Sequence, residues 1–261
     1  TASRLSTFGD QTDLVARIGG DEFAVLVSGD REGILKKAEG LADRILAALA
    51  QSPLQISGRD VQIRGSIGIA LYPAHAGNSQ DLLSNADVAL YRAKAGGRQR
   101  HVCFDRGLRE ALEKRVLLES DLKRALANNE FELFYQPKVA LDSGTVVGAE
   151  ALIRWRDPER GLLPPGEFIQ VVNTSSISTQ VALWVLKTAA AQSRAWEIGG
   201  SRIRVSLNLA PSLIHSGELP AAVRSVLIDT GLSPSLLELE VTEDIVLVDE
   251  KLALSTFRQV Q

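Results

Sequence analysis

Apolar residues in the first part of the chain recur at spacings that predict two strands, a helix, a third strand and a second helix. Strand-forming residues at 15–19 and 23–27 flank a glycine-rich turn, which is typical of a β-hairpin. At 32–49 and again at 79–95, apolar positions repeat every three or four residues, as on the buried face of an amphipathic helix. Strict alternation of apolar and polar residues between 61 and 71 predicts the third strand. This part should therefore be a mixed helix-and-strand domain.

The pattern changes after residue 105. A helix is predicted from 105 to 129, with its apolar residues in one stripe. Strands are then expected at 131–141, 145–155, 202–209 and 236–242, with helices near 179–196 and 219–230. Alternation of strands and helices favours either an α/β barrel or a doubly wound sheet, and the pattern alone does not choose between them.

Composition limits the classes of protein that the chain can belong to. Its 261 residues, 45% of them hydrophobic, suffice for one large domain or two ordinary ones. A formal net charge of −3 argues against non-specific binding to nucleic-acid polymers or membrane surfaces. The single cysteine, Cys103, excludes an internal disulfide and fits a reducing cytoplasm.

The sequence also lacks the features of a complete membrane protein. No run approaches the roughly 18 apolar residues of a membrane helix, so we expect no membrane contact from this segment. There is no methionine, even at position 1. We therefore expect a piece excised from a longer cytoplasmic protein, which could itself be tethered to the inner membrane.

The turn of the predicted hairpin is the first candidate site. Gly19 and Gly20 permit positive φ angles and close approach of a ligand. Asp21 and Glu22 follow at the tip, where carboxylate oxygens could bind Mg²⁺, although a solvated acidic turn has the same composition. The string from Gly19 to Phe23 resembles the signature of the GGDEF family, whose domains condense two GTP molecules into cyclic di-GMP.

A second match lies at the end of the helix predicted at 79–95. Lys94 is near its C-terminus, and Arg98 follows a glycine pair that should stop the helix. These cations could simply complement the helix C-terminus, or they could hold phosphates, a role that suits the planar donor fork of arginine. The segment from Asn85 to Gln99 resembles the closing helix of GGDEF domains, which implies that Lys94 and Arg98 contact the phosphates of GTP.

The resemblance covers only the C-terminal half of a GGDEF domain. The family's metal-binding Asp on its first strand and its guanine-binding residues would precede Thr1. The family's product-inhibition element, Arg-x-x-Asp, falls on Asp10 and Asp13. Because Asp10 carries no positive charge for a phosphate, we expect no feedback inhibition through this primary site.

The second candidate site comes from the phase of the later strands. Side chains two residues apart share a face of a strand, so Glu150, Leu152 and Arg154 lie on one face of theirs. Asn208 and Glu240 lie opposite the apolar faces of their own strands. We expect Glu150, Asn208 and Glu240 near the C-terminal ends of the strands, where barrel enzymes keep their active sites. Together they form a candidate shell for Mg²⁺ or Mn²⁺, whereas each one alone is typical of a polar strand end.

Four segments in this region resemble the EAL family, in family order. They are Tyr135–Pro137, Glu150–Arg154, the Val-Ser-Leu-Asn-Leu-Ala segment around Asn208, and Glu240–Glu243. EAL domains are barrels that hydrolyse cyclic di-GMP to the linear dinucleotide pGpG. The resemblance implies metal ligation by Glu150, Asn208 and Glu240, phosphate binding by Arg154, and a place for Gln136 in the nucleotide pocket.

We therefore expect an α+β and an α/β part in one chain. Residues 1–105 should be the C-terminal part of a GGDEF domain with a palm-like cyclase fold, 106–129 a linker helix, and 130–261 the N-terminal part of an EAL-type (β/α)8 barrel. The implied function is turnover of cyclic di-GMP with Mg²⁺ or Mn²⁺: hydrolysis, synthesis, or both, with Glu22 and Glu150 as catalytic residues. A homodimer is expected, since a cyclase brings together two domains that each hold one GTP.

Two points stay open in the sequence. The EAL family continues with an Asp-Asp pair and a Lys that would follow Gln261, so we expect this stretch by itself to be inactive. The alternative function is a signalling module that binds GTP or cyclic di-GMP without chemistry, and residues beyond both ends would decide between the two.

Overall fold

A computed structural model describes residues 13–51, 54–56, 59–61, 63–241 and 250–260 of the chain. The chain divides into two compact units, Thr1–Lys114 and Arg115–Gln261. The division falls inside helix α3 (Arg106–Ala127), the predicted linker helix. Asp10 and the end of the strand predicted at 236–242 lie outside the described residues. Within the described ranges, no helix has the length and apolar character needed to cross a membrane.

In the residues that the structure describes, the first unit contains short strands and two long helices ahead of α3. In chain order its elements are β1 (Leu14–Gly19), β2 (Glu22–Leu26), α1 (Ile34–Gln51), β3 (Leu54–Ile56), β4 (Arg59–Val61), β5 (Ile67–Ile69), α2 (Ser79–Ala95) and β6 (His101–Cys103). The predicted hairpin is confirmed as the antiparallel pair β1–β2. Strands β3 and β4 form a second antiparallel pair, and β5 pairs in parallel with β6.

The single strand predicted from 61 to 71 is wrong. Val61 ends β4, residues 63–66 have no regular structure, and β5 begins only at Ile67. The alternation of apolar and polar residues continues across β4 and β5, which belong to different sheets. Periodicity alone therefore predicts one continuous strand. Residue 62 lies outside the described set.

The core of the first unit forms between α1 and the hairpin. Leu41 and Ile45 of α1 are buried, and side chains of the hairpin pack around them, among them Phe23 and Val25. Helix α2 is capped at its N-terminus by Asn78, whose side chain accepts a hydrogen bond from Asp81 N at 2.8 Å. Its buried face presents Ala89 and Ala93, because small residues are needed where β5 passes close to the helix.

The described part of the second unit is one sheet covered by helices. After α3 its elements are β7 (Phe131–Val139), β8 (Val146–Asp157), β9 (Gly161–Leu163), α4 (Ile169–Thr174), α5 (Ser178–Ile198), β10 (Arg204–Asn208), α6 (Pro211–His215), α7 (Leu219–Thr230), β11 (Leu237–Glu240) and α8 (Glu250–Val260), with 3-10 turns at Pro165–Glu167 and Pro234–Leu236. The spatial order is β11–β10–β8–β7, and β9 pairs with β8.

Strand directions and helix positions favour the barrel topology over the doubly wound sheet. Strands β8, β10 and β11 are parallel neighbours in chain order, whereas a doubly wound sheet reverses its strand order at a switch point. The connections contain α5 and α7, which pack on the same apolar face of the sheet. Buried residues on that face include Ala151, Val205 and Leu207. The opposite face carries polar side chains, among them Glu150 and Ser206.

The segment of α3 within the second unit packs on the sheet near its antiparallel end. Leu122 and Ala125 are completely buried there against a cluster that includes Phe131, Trp155 and Phe168. The aromatic rings of this cluster meet at tilted or edge-on angles with centroids 5.8–6.4 Å apart. This cluster fixes the end of the sheet where β7 begins and β8 ends, and the candidate residues Gln136 and Glu150 lie further along the same antiparallel pair.

Candidate functional site

The hairpin of the first unit places its two acids at an exposed tip. Gly20 has φ = +52°, a conformation that strains most other residues, and its carbonyl accepts two hydrogen bonds from the Arg17 guanidinium, at 3.1 and 2.7 Å. Gly19 and Glu22 face each other across the turn. Asp21 and Glu22 are therefore exposed on a turn whose backbone is fixed by glycine geometry and by Arg17.

The structure brings the two candidate motifs of the first unit together. Lys94 Nζ, near the end of α2, lies 3.7 Å from Glu22 Oε1, and both side chains are about half exposed. Arg98 lies beyond the C-terminus of α2 with φ = +61° and is exposed. Within the described ranges Arg98 forms no ion pair with either acid of the hairpin. An anion at this tip would meet Lys94 directly.

Asp13, the second position of the inhibition element, points inward in this structure. Its side chain is only 1% exposed, and its Oδ1 lies 3.4 Å from Lys37 Nζ on α1. Lys37 also donates a hydrogen bond to the Ser28 carbonyl at 3.0 Å. Asp13 therefore helps to attach the start of the hairpin to α1.

In the second unit, candidate residues form rows across the polar face of the sheet. The register aligns Gln136, Glu150, Ser206 and Glu238 in one row over β7, β8, β10 and β11. Asn208 and Glu240 are opposite each other in the next row of β10 and β11. Residues opposite each other in register project on the same face, so Glu150, Asn208 and Glu240 share one face of the sheet, as their positions along the strands predict.

One positional expectation was wrong. Glu150 does not lie near the C-terminal end of its strand, because β8 continues to Asp157. The additional length pairs with β7 and β9, whereas the parallel pairing with β10 ends at Ala151. Glu150 is thus near the C-terminal end of the parallel part of β8 only. Asn208 and Glu240 do end their strands as expected.

Glu150 and Asn208 are in direct contact. Asn208 Nδ2 donates a hydrogen bond to Glu150 Oε1 over 2.8 Å. A half-turn of the amide would bring Oδ1 to the same place, because the two ends of an Asn amide have nearly the same shape. Glu150 is half-buried and Asn208 is exposed, so the pair faces open space on the polar side of the sheet.

Glu240 is bound by a residue that the sequence reasoning missed, Lys138. Lys138 Nζ donates to Glu240 Oε1 at 2.6 Å and to Glu238 Oε1 at 3.2 Å. The hydrogen bond to Lys138 lowers the pKa of Glu240, and the hydrogen bond to Glu240 raises the pKa of Lys138. The available signal was the alternation on β7, which places Lys138 two residues from Gln136 and on the same face.

The last two candidates lie at different distances from this cluster. Gln136 is directly opposite Glu150 and is exposed. Arg154 is four residues further along β8, about 13 Å away at the usual rise of a strand. Its guanidinium carbon lies 5.4 Å from the centroid of the Phe134 ring, and Nη1 donates to the Ile153 carbonyl at 2.9 Å. Arg154 is therefore outside the Glu150–Asn208–Glu240 cluster.

The donor set of this cluster fits a hard divalent cation. Two carboxylates and an amide supply oxygen ligands, the type that Mg²⁺ and Mn²⁺ prefer, and the contact between Glu150 and Asn208 is close enough for both to bind one ion. In the part of the chain that the structure describes, no three acidic, histidine or cysteine side chains converge on one point. An ion here would thus need the amide oxygen of Asn208.

The fold and the sites together define the class: a barrel-type α/β unit with an oxygen-rich cluster on its polar face, preceded by an α+β unit with a glycine-rich acidic hairpin. Family models match both parts. The model of the EAL domain matches residues 119–261, more than half of the chain, and that of the diguanylate cyclase GGDEF domain matches residues 1–100. The chain belongs to the EAL family and carries GGDEF sequence ahead of it, as the motifs predicted.

Relatives and a solved structure agree with this assignment. An uncharacterized signaling protein of Caulobacter vibrioides is 39% identical over 263 residues, covering 100% of this chain and 32% of the relative. The bifunctional diguanylate cyclase/cyclic di-GMP phosphodiesterase MucR of Pseudomonas aeruginosa is 37% identical over 250 residues, covering 95% of this chain and 36% of MucR.

A solved structure of the PaMucR phosphodiesterase in complex with c-di-GMP is 36% identical to this chain. Its TM-score is 0.53, over 55% of this chain and 59% of that chain. The chain spans about a third of the length of the curated relatives that it matches.

Proposed function

We propose that this chain is part of a protein that turns over cyclic di-GMP, and that its EAL part hydrolyses cyclic di-GMP to pGpG. The observation that carries the proposal is the contact between Glu150 and Asn208, 2.8 Å long, on the same face of the sheet as Glu240. The name of the relative MucR, a bifunctional cyclase and phosphodiesterase, supports this activity. So does the c-di-GMP complex of the PaMucR phosphodiesterase.

Glu150, Asn208 and Glu240 would hold Mg²⁺ or Mn²⁺. Such an ion lowers the pKa of a bound water and stabilises negative charge on a phosphoryl oxygen. In the reaction, the oxygen of water forms a bond to one phosphorus of cyclic di-GMP as the bond from that phosphorus to the 3′-oxygen breaks. The products are a 3′-hydroxyl and a 5′-phosphate, which together make pGpG.

Gln136 and Arg154 would orient the dinucleotide. Gln136 is exposed directly opposite Glu150, where its amide can donate to or accept from a guanine or ribose group. Arg154 offers a planar fork of donors that matches a phosphate. Its separation of about 13 Å from Glu150 suits a contact with a part of the ligand away from the cleaved bond.

For the first unit we infer a role in synthesis of cyclic di-GMP from two GTP molecules. There the 3′-hydroxyl of one GTP would attack the α-phosphate of the other and release pyrophosphate. Asp21 and Glu22 would bind the metal, with Glu22 catalytic, the backbone at Gly19 and Gly20 would let the nucleotide approach, and Lys94 and Arg98 would hold its phosphates.

The observation that favours this second activity is the distance of 3.7 Å between Glu22 and Lys94, because it joins the two motifs at one tip. Two such domains would have to face each other in a homodimer, since each holds one GTP. Because GTP is a cytoplasmic nucleotide, both domains would work in the cytoplasm.

The test of the hydrolytic activity uses the full-length protein with Mg²⁺ and cyclic di-GMP, and follows pGpG by chromatography. Glu150→Gln keeps the shape of the side chain and removes its charge, so we expect hydrolysis to fall by at least about 100-fold. Glu159→Gln, an exposed position on the turn between β8 and β9, is the matched control and should leave the rate unchanged.

Two outcomes would decide against the proposal. Hydrolysis that persists in Glu150→Gln would show that the catalytic centre lies elsewhere. Binding of cyclic di-GMP by the wild type without any pGpG would instead favour the binding-module function.

A further inference from the structure

Lys138 crosses the sheet to reach the candidate cation site. It lies on β7, yet its ammonium group contacts Glu238 and Glu240 on β11, with β8 and β10 in between. The contact joins residues that are 102 positions apart in the chain. The candidate motifs of the sequence do not account for this contact.

A glycine makes room for this path. Lys138 is opposite Gly148 in the register of β7 and β8. A Cβ atom at Gly148 would lie 3.8 Å from Cβ and Cδ of Lys138 and 3.1 Å from the carbonyl oxygen of Arg204. The stem of Lys138 therefore extends over the side of Gly148 where another residue would carry its side chain. The lysine side chain is long enough for its ammonium group to reach the two carboxylates on β11.

Charge on this side of the site is nearly balanced. Lys138 lies between two carboxylates, at 2.6 Å from Glu240 Oε1 and 3.2 Å from Glu238 Oε1. Arg204 Nη1 lies 3.4 Å from the other oxygen of Glu238. If Glu240 shares its charge with a bound cation, Lys138 still has Glu238 as a counter-ion. The repulsion between the ammonium group and the cation is correspondingly reduced.

We propose that Lys138 is a positioning residue for the cation site of the EAL part: it holds Glu240 by Oε1 and so fixes the plane in which the carboxylate meets the ion. The inference rests on the cation site proposed above and deepens it. Partners that hydrogen-bond to ligating carboxylates orient them, and their removal typically weakens metal binding by about 10- to 100-fold.

Two opposing effects follow from removal of Lys138. Loss of its positive charge would strengthen binding of a cation, whereas loss of the hydrogen bond frees the Glu240 carboxylate to rotate and weakens binding. Because Glu238 already neutralises much of the charge, the orienting effect is expected to dominate. Lys138→Met should thus bind Mn²⁺ more weakly, and Lys138→Arg, which keeps a charged donor, should restore most of the affinity.

The test measures the affinity for Mn²⁺ by calorimetry on the full-length protein. All variants carry Asp21→Ala and Glu22→Ala, so that an ion at the hairpin does not contribute to the signal. Lys138→Met should raise the dissociation constant by about 10- to 100-fold. Lys187→Met, an exposed lysine on α5, is the matched control and should bind as the parent does. Lys138→Gln replaces the Met variant if the latter fails to fold, as judged by thermal unfolding without metal.

The same assay separates failure of this inference from failure of the site. If Glu150→Ala and Glu240→Ala abolish Mn²⁺ binding but Lys138→Met leaves it unchanged or tighter, the cation site is right and the role of Lys138 is wrong. If Glu150→Ala and Glu240→Ala bind Mn²⁺ as the parent does, the site itself is wrong and the inference falls with it.

Discussion

At the scale of single residues, the candidate EAL site depends on matched hydrogen-bonding partners that lie on other strands of the same sheet. Glu150 accepts from an amide, and Glu240 accepts from an ammonium group. A second carboxylate in place of Asn208 would put two negative charges in contact when no cation is present. The amide avoids this repulsion and still offers an oxygen ligand.

Asn208→Asp tests this argument, because it changes the charge and keeps the shape. Without divalent cation, repulsion between the introduced carboxylate and Glu150 should lower the melting temperature of the EAL part below that of the wild type. Addition of Mg²⁺ or Mn²⁺ should raise the melting temperature more than in the wild type, since the ion now neutralises a further charge. The measurement is thermal unfolding with and without cation.

The control for that comparison is Asn173→Asp, an exposed site on α4. It should show the cation response of the wild type. An Asn208→Asp protein whose melting temperature responds to cation as the wild type does would count against a shared ion at this position.

Another residue-scale feature supports the sheet behind the site. Asp157, at the end of β8, is buried and accepts hydrogen bonds from the backbone of Glu159 and Arg160 at 3.0 and 2.7 Å. Its carboxylate also accepts from the Arg160 side chain at 2.9 Å, and this interaction holds the pKa of Asp157 well below its ordinary value. The charged form of Asp157 is therefore the stable form in the folded protein.

This pKa shift predicts a pH dependence of stability. Since the folded pKa is depressed, the contribution of Asp157 is fully present above its ordinary pKa of 3.8 and is lost as the pH falls from there toward the folded pKa. At neutral pH, Asp157→Asn should lower the free energy of unfolding by about 1.5–3 kcal/mol. The difference from the wild type should shrink as the pH drops below that ordinary value.

Urea unfolding across this pH range measures the effect, with the exposed Asp142→Asn as control. A wild-type advantage over Asp157→Asn that stays constant down to the lowest pH would contradict this assignment of the charge.

At the scale of elements, long helices are predictable from the sequence when their apolar pattern repeats over several turns and capping residues or glycines lie at their ends. The helix predicted at 79–95 is confirmed as α2, Ser79–Ala95, because Asn78 caps its start and a glycine pair follows its end. The helix predicted at 219–230 is confirmed as α7, Leu219–Thr230, where Gly231 adopts φ = +65° after the last turn. In both cases the local chemistry that stops the helix is visible in the sequence.

What could not be predicted depends on pairing between distant segments. Strands β6 and β9 are three residues each, too short for a period to appear. The end of β8 at Asp157, two residues past the predicted strand, follows from its antiparallel pairing with β9, and the contact of Lys138 with Glu240 follows from the order of strands in the sheet. Periodicity indicates which face of a strand a residue occupies but not its partner across the sheet.

Helix α2 and strand β5 provide a test at this scale. A Cβ at Gly68 of β5 would overlap the carbonyl oxygen of Ala86 and the backbone nitrogen of Leu90 in α2. Because these are backbone atoms, Gly68→Ala must push the helix away, at a cost of about 1–3 kcal/mol. Amide hydrogen exchange in α2 should accelerate, and synthesis of cyclic di-GMP should fall because α2 carries Lys94.

Gly77→Ala is the matched control, since a Cβ there meets nothing within 4 Å. Exchange in α7, which belongs to the other unit, should be unaffected in both variants. Unchanged exchange in α2 of Gly68→Ala would mean that the helix does not pass over β5 as described.

At the scale of the whole molecule, each candidate site is built within one unit. The hairpin and α2 belong to the first unit, and the Glu150 cluster belongs to the second. We therefore expect Glu22→Gln in the full-length protein to abolish synthesis of cyclic di-GMP from GTP and to leave its hydrolysis essentially unchanged, because the hydrolytic residues are untouched. Glu150→Gln should show the opposite pattern in the same two assays. Equal loss of both activities in either variant would contradict separate sites.

The location of a bound divalent ion tests the proposed hydrolytic site most directly. Crystals of the protein grown with Mn²⁺ and cyclic di-GMP would reveal the ion by its anomalous scattering. We expect a peak in contact with the carboxylates of Glu150 and Glu240 and the side-chain oxygen of Asn208, with a phosphate of the dinucleotide beside it. Cyclic di-GMP bound on this face with no anomalous peak there, or a peak that touches none of these three residues, would contradict the proposed mechanism.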